Sequence, residues 1–163
     1  MDHGLSVRPL TDADAEIIRT WHYPGPYGVY DLPVHGPLPT TDDGYWAIVS
    51  EDDSSLVGYM RVGEVARPNG MPARDDTVDV NVGLDPARVG QGDGRRLAAV
   101  LLEWINENHP GKRVRTAIQS WNIRALRVFR SFGFGQDYDH LCREGPTAVR
   151  YTVLQRAVPT KVG

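Results

Sequence analysis

Three glycines set two apart, Gly90, Gly92 and Gly94, follow the run Val80-Asn81-Val82-Gly83-Leu84-Asp85-Pro86 and precede a helical spacing that starts at Leu97. A strand running into a glycine turn that opens a helix makes an anion cradle. The first amides of a helix have no partner inside it and stand at the positive end of its dipole, and glycine lets a phosphate approach the backbone without meeting a Cβ. Arg88, Arg95 and Arg96 add positive charge beside the turn. A phosphorylated ligand is the chemistry this pattern points to. Asp93-Gly94 alone would suit a hairpin turn, but the residues from Leu97 onward repeat at three and four, not at two. A dinucleotide site asks for Gly-x-Gly-x-x-Gly and an acidic residue about twenty positions later. Here the glycines are spaced by two, and Trp121-Asn122 stand where the acid is needed.

The elements that must hold this turn follow from hydrophobic periodicity. Leu5 to Leu10 alternates as a first strand, and Thr11-Asp12-Ala13-Asp14 supplies N-cap chemistry for a helix whose apolar face is Ile17, Ile18 and Trp21. From Trp21 to Asp31 prolines and glycines forbid a long regular element while aromatics recur, which predicts a shaped loop or a broken helix. Tyr45–Val49 and Leu56–Val62 are β-rich runs around a polar turn and predict a hairpin. Residues 66–76 read as a loop, and Thr77–Leu84 as a fourth strand with Val78, Val80 and Val82 on one face and Asp79 and Asn81 on the other. Leu97, Val100, Leu101, Trp104 and Ile105 give a helix over Gly92 to Asn108, stopped by Asn108-His109-Pro110-Gly111. Arg113–Ile118 is a fifth strand, Asn122–Phe132 a short helix, Gln136–Arg156 holds two more strands, and Val158–Gly163 reads as a frayed tail.

At 163 residues the chain fits one domain, residues 1–163, around one core. A hydrophobic content of 40% with 24% charged residues is that of a globular protein. No apolar run approaches the roughly 18 residues of a membrane span, and Met1-Asp2-His3-Gly4 lacks the apolar core of a signal peptide. A cytoplasmic location is the expectation. The single cysteine, Cys142, excludes an internal disulfide and a Cys-rich zinc site, and reads as a small, partly buried apolar residue. A formal net charge of −3 argues against a general nucleic-acid binder.

Two segments together resemble the GCN5-related N-acetyltransferase superfamily. The strand, Leu84-Asp85-Pro86 and the Gly90–Gly94 turn are similar to that family's acetyl-CoA pyrophosphate motif. Asn122-Ile123-Arg124-Ala125, running on through Phe129 to Gly133-Phe134, is similar to its Asn-x-x-Ala helix ending in Gly-Phe. The order of elements matches from residue 5 to about residue 155. The resemblance implies an α/β (α+β) fold: a mixed, mostly antiparallel sheet of about seven strands, splayed between the fourth and fifth and flanked by about four helices. It implies acetyl-CoA as cosubstrate, no metal, and a monomer or homodimer.

It also implies roles for residues. Val82, Gly83 and Leu84 would offer backbone groups to the pantetheine arm, and the amides of Val89, Gly90, Gln91, Gly92, Asp93, Gly94 and Arg95 would hold the pyrophosphate. Asn122 would contact the coenzyme, cap the last helix, or both. Val89 stands where the family often has Gln or Arg, so Arg88 or Arg95 would supply the charge. Phe129, on the coenzyme side, stands where many relatives carry a tyrosine that protonates the departing thiolate. A general acid contributes roughly 10²–10⁴-fold, yet a thiolate with a pKa of about 8.5 leaves tolerably near neutrality. Tyr138 and Ser131 are candidate substitutes.

An acceptor amine with a pKa near 10.4 must lose a proton before it attacks, which costs about 4.6 kcal/mol at pH 7. Glu64 and Asp79 are the candidate bases, each open to the plainer reading of an exposed or ion-paired strand residue, with Asp31 a third. The first helix and the loop after it usually help wall the acceptor site in this superfamily. Here they hold Trp21, His22, Tyr23, Tyr27, Tyr30 and Asp31, and tyrosines beside a carboxylate suit a cationic amine. Trp21 and Tyr23 are equally suited to packing on the sheet. The resemblance implies direct transfer of acetyl to a primary amine of a small molecule or peptide in a ternary complex. The alternative is an acyl-CoA-binding sensor or interaction module of the same fold, weakened in turnover by the loss of the tyrosine.

Overall fold

The computed structural model describes residues 3–158 and forms a seven-stranded sheet in the order β1-β2-β3-β4-β5-β7-β6. The strands are β1 Leu5–Pro9, β2 Tyr45–Ser50, β3 Leu56–Val62, β4 Thr77–Leu84, β5 Arg113–Gln119, β6 Gly135–Glu144 and β7 Thr147–Arg156. The α-helices among the described residues are α1 Asp12–Arg19, α2 Asp93–Asn108 and α3 Ile123–Ser131. Short 3-10 helices lie at Gly25–Tyr30, Glu64–Ala66 and Pro86–Arg88. The first of these 3-10 helices is what the proline- and glycine-rich segment makes of a fourth helix. Two compact units divide the chain, one of Met1–Arg61 with Val82–Leu101 and one of Val62–Asn81 with Leu102–Gly163. The frayed tail expected at the C-terminus lies, beyond Val158, outside the described residues. Among the described residues no helix is long and apolar enough to cross a membrane.

In the first unit β1 pairs antiparallel with β2, from Leu5 opposite Ser50 to Pro9 opposite Trp46, and β2 pairs antiparallel with β3 through a register shift at Ile48/Val49. Helix α1 starts where Thr11 closes a capping box with Asp14. Its buried stripe is Asp14, Ala15 and Ile18, while Ile17, expected on the apolar face, is 47% exposed. Successive helical residues point about 100° apart, so Ile17 and Ile18 cannot both face the sheet. Trp21 is buried but lies past the helix end. Leu5, Ile48, Val57, Met60, Leu97 and Leu101 are all fully buried, each contributing about 1.5–3 kcal/mol by leaving water. Gly58 is what brings α2 close: a Cβ there would meet both Leu97 methyls at 3.1 Å.

In the second unit β4 and β5 run parallel, joined by the pairs Thr77–Arg113, Val78–Val114 and Asp79–Arg115. Strand β7 pairs antiparallel with both β5 and β6. Val78, Asp79 and Val80 are consecutive and all buried, so both faces of β4 are covered at this level, and its polar face is not a solvent face. Cys142 is 2% exposed, as a small apolar residue would be.

Candidate functional site

The turn after β4 is built by local hydrogen bonding. Asp85 Oδ1 accepts from the Ala87 amide at 3.0 Å, capping the 3-10 helix Pro86–Arg88, and the Asp85 amide donates to the Val57 carbonyl at 3.0 Å. Gly90 and Gly92 then take φ of 86° and 81°, left-handed values that cost an ordinary residue about 1–2 kcal/mol. Among the described residues the amides of Gly90, Gln91 and Gly92 donate to no backbone acceptor, whereas the Val89 amide reaches the Pro86 carbonyl at 3.4 Å. Helix α2 begins at Asp93, not at Gly92, so Asp93, Gly94 and Arg95 carry the amides of its open first turn.

The arginines divide the work around this turn. Arg96 is committed, donating to Asp93 Oδ1 at 2.6 Å and to the His3 carbonyl at 2.9 Å. Arg88 stands 4.0 Å from the buried Asp93 carboxylate, and Arg95 is exposed. Open amides, left-handed glycines and an exposed arginine fit a pyrophosphate.

The end of β4 is shaped by aromatic packing. A Cβ on Gly83 would lie 2.3 Å from the Tyr59 ring, and one on Gly58 would lie 2.5 Å from the Gly83 carbonyl oxygen, so both positions require glycine. Val82 and Leu84 are half-buried. The Leu84 carbonyl already accepts from the Tyr23 hydroxyl at 2.6 Å, so it is not open to a ligand in this state. Burial, helped by Tyr59, Asp31 and Asp85, pushes the Tyr23 phenol far above its ordinary range and keeps it a donor. Trp21 stacks on Tyr59 with ring centroids 6.3 Å apart, and therefore packs rather than lines a site.

Asp31 ties the aromatic loop together. Its Oδ1 accepts from the Tyr23 amide at 2.9 Å, its Oδ2 lies 3.1 Å from His22 Nδ1, and its own amide closes the 3-10 helix by donating to Gly28. Tyr27 and Tyr30 sit half-buried on that same helix. Tyr23, Asp31 and His22 are thus brought together, with Asp31 serving as the anchor of its own loop.

In the second unit Asp79 is 4% exposed and has both oxygens engaged. Arg115 Nε donates to Oδ1 at 2.6 Å, while Arg115 Nη2 and Arg67 Nη1 each donate to Oδ2 at 3.1 Å. Arg115 is completely buried, and its Nη1 has no hydrogen-bond partner among the described residues. Burial works against its charge, but the Asp79 carboxylate outweighs burial and holds the guanidinium above its ordinary range. Asp79 is thus an ion-paired strand residue.

Glu64 is not on β3 but opens the 3-10 helix Glu64–Ala66, and it is exposed. Gly63, with φ of 90°, makes the turn into that helix and donates its amide to the Asp79 carbonyl at 2.8 Å. Asn81 Nδ2 holds the far end through the Ala66 carbonyl at 3.3 Å.

Asn122 caps α3, its Oδ1 accepting from the Ala125 amide at 3.2 Å, and is 7% exposed. Phe129 is 3% exposed and packs edge-on against Phe134, centroids 5.3 Å apart. Ser131 donates to the Val128 carbonyl of its own helix at 2.6 Å. Tyr138 packs on the cluster of Met71, Ala117 and Val153 beneath Arg74. Arg67 and Arg115 escaped the sequence reading. The available signal was an arginine inside an otherwise apolar strand, which demands a buried acid, but nothing local says which acid.

A sequence model of the acetyltransferase (GNAT) family matches residues 13–134. A curated relative, the L-methionine sulfoximine/L-methionine sulfone acetyltransferase of Salmonella typhimurium, is 34% identical over 92 residues, which are 56% of this chain and 51% of that protein. The chain therefore spans about half the length of the curated relative it matches. An acetyltransferase (GNAT family) from Bacillus anthracis aligns with a TM-score of 0.72 at 14% identity, covering 94% of this chain and 95% of that one. A Salmonella typhimurium protein solved with its cofactor acetyl-CoA aligns with a TM-score of 0.63 at 21% identity, covering 98% and 97%. These two structural likenesses concern the fold. The family match runs through β4, the glycine turn and the Asn122-capped helix, and by it this chain belongs to the acetyltransferase (GNAT) family.

Proposed function

We propose that this chain is an N-acetyltransferase that moves an acetyl group from acetyl-CoA to a primary amine of a small acceptor by direct attack in a ternary complex. The observation that carries the reading is the turn at Gly90–Gly92, whose amides have no backbone acceptor, inside the segment matched by the family. Acetyl-CoA, when bound, supplies the activated thioester. In this reading the amides from Gly90 to Arg95 hold its pyrophosphate, Arg95 adds charge, and the backbone from Val82 to Leu84 guides the pantetheine and polarises the thioester carbonyl. By the family resemblance Asn122, at the cap of α3, contacts the coenzyme. Phe129 has no proton to give, so the thiolate leaves unassisted, which its pKa of about 8.5 allows.

On the acceptor side Tyr27, Tyr30 and Asp31 offer aromatic faces and negative charge to a cationic amine. Glu64 takes the proton, being the exposed carboxylate among the candidates, whereas Asp79 and Asp31 are held by other groups. A small amine on an amino-acid-like acceptor is favoured by the activity named for the 34% identical relative. Cys142 is buried, which suits attack without an acyl-enzyme.

The test is thiol release from acetyl-CoA against a panel containing L-methionine sulfoximine, aminoglycosides and peptide N-termini. The expected result is acceptor-dependent release with intersecting initial-rate patterns. A ping-pong pattern, or tight coenzyme binding with no release for any amine, would overturn it.

A further inference from the structure

We propose that Arg67, Asp79 and Arg115 form a positioning device for Glu64, and that Asp79 itself takes no proton during acetyl transfer. The inference rests on Glu64 being the base of the proposed reaction.

The residues around Glu64 are attached to β4 and β5 at four points. The Gly63 amide bonds the Asp79 carbonyl at 2.8 Å, and Asn81 Nδ2 bonds the Ala66 carbonyl at 3.3 Å. Immediately after the 3-10 helix Glu64–Ala66, Arg67 turns back to Asp79 Oδ2 at 3.1 Å, and further along the same connection the Pro72 carbonyl accepts from Arg115 Nη2 at 2.8 Å. Two of the four join the backbone of this segment to β4, one at the Asp79 carbonyl and one at the Asn81 side-chain amide. The other two run through one carboxylate and one buried guanidinium, which share two hydrogen bonds with each other. Asp79 is thus the node that connects the β4–β5 ladder to the segment carrying Glu64.

The same geometry disqualifies Asp79 as a base. Its two oxygens accept from two arginines, with the Asp79 and Arg115 side chains only 4% and 0% exposed, so a proton there would replace a charge-assisted bond in a place water does not reach. Glu64 has the opposite surroundings: it is exposed, and no described residue holds its carboxylate. A held acid and an open acid, one residue apart across the Gly63–Asp79 contact, divide support from chemistry.

Arg67→Gln is the informative variant, because its side chain is the outermost of the three at 18% exposed and its loss leaves the Asp79–Arg115 pair intact. Hydrogen exchange of the amides from 63 to 72 is expected to accelerate at least tenfold relative to the parent, a readout that needs no turnover. In thiol-release assays Glu64→Gln is expected to lower kcat/KM by about 10²–10⁴-fold. Arg67→Gln is expected to lower kcat about tenfold and leave the KM for acetyl-CoA unchanged, with Arg67→Lys recovering part of the loss. Unchanged exchange in Arg67→Gln would overturn the positioning role. So would a loss of kcat/KM in folded Asp79→Asn as large as that in Glu64→Gln with exchange of the 63–72 amides unchanged, which would make Asp79 the base. A parent protein that fails to turn over any amine sinks the proposed reaction instead, while the exchange measurement still decides whether the triad holds the segment.

Discussion

In the turn that follows β4, the amides of Gly90, Gln91 and Gly92 are without backbone acceptors and the chain around them is exposed. On the strand itself, Asp79 is buried with every oxygen engaged. Open donors in an exposed turn are satisfied by water, so leaving them free costs little. A buried carboxylate has no such solvent, and it persists only when fully paired. The difference teaches where to look for chemistry in this molecule: at groups that the fold positions but does not consume. By that measure the proposed site draws on the glycine turn and Glu64, while Asp79, Tyr23 and Asp31 are largely spent on structure.

The largest expected effect breaks the buried side of this contrast. Asp79→Ala leaves Arg115 buried without its counter-charge and should cost about 3–5 kcal/mol in urea denaturation. Replacing Asp79 by Leu and Arg115 by Met together should recover most of that loss, because no buried charge remains; equal losses in both variants would show that the pairing is not the source. Next is Gly83→Ala, whose new Cβ would sit 2.3 Å from the Tyr59 ring, and overpacking of this kind costs about 1–3 kcal/mol. Tyr59→Phe leaves that clash in place while Tyr59→Leu relieves it, so thermal melts of the two double variants separate ring volume from the hydroxyl.

The exposed side is probed by Gly92→Ala. A φ of 81° strains alanine, and the turn should open, weakening acetyl-CoA about tenfold by calorimetric titration, near 1.4 kcal/mol, while stability falls by no more than the about 1–2 kcal/mol of that strain. An unchanged affinity would remove the cradle from the coenzyme site.

The smallest effect concerns Asp14, an intermediate case with a buried carboxyl paired to the partly exposed Arg8. Burial pushes this carboxyl up, but hydrogen bonds from Arg8 and Thr11 outweigh it and hold it below the ordinary value of 3.8. A depressed folded value means the stabilisation is complete above the unfolded pKa, near 4, and is lost as pH falls through the lower folded value. Denaturation midpoints between pH 2 and 6 should therefore fall less steeply in Asp14→Asn than in the parent, and identical slopes would show that Asp14 contributes nothing to acid unfolding.

What the sequence determined by itself is whatever rests on near neighbours. Alternation places β4 at Thr77–Leu84, the Thr11–Asp14 box starts α1, Asn122 caps α3, and the glycines at 90 and 92 turn left-handed, each decided by residues within a few positions. The order of elements along the chain follows from such local signals together with the family pattern. The tertiary structure alone decided the rest. Arg115 finds Asp79 across 36 positions, and Tyr23 finds the Leu84 carbonyl across 61. Those two pairings turn a candidate base and a candidate acceptor-site tyrosine into supports. Helical periodicity marks an apolar stripe but not its centre, so whether Ile17 or Ile18 faced inward was settled only by the packing of α1. Local sequence sets backbone conformation because φ and ψ respond to adjacent atoms. The state of a carboxylate depends on which charges and how much water surround it, and those are set by segments far away in the chain.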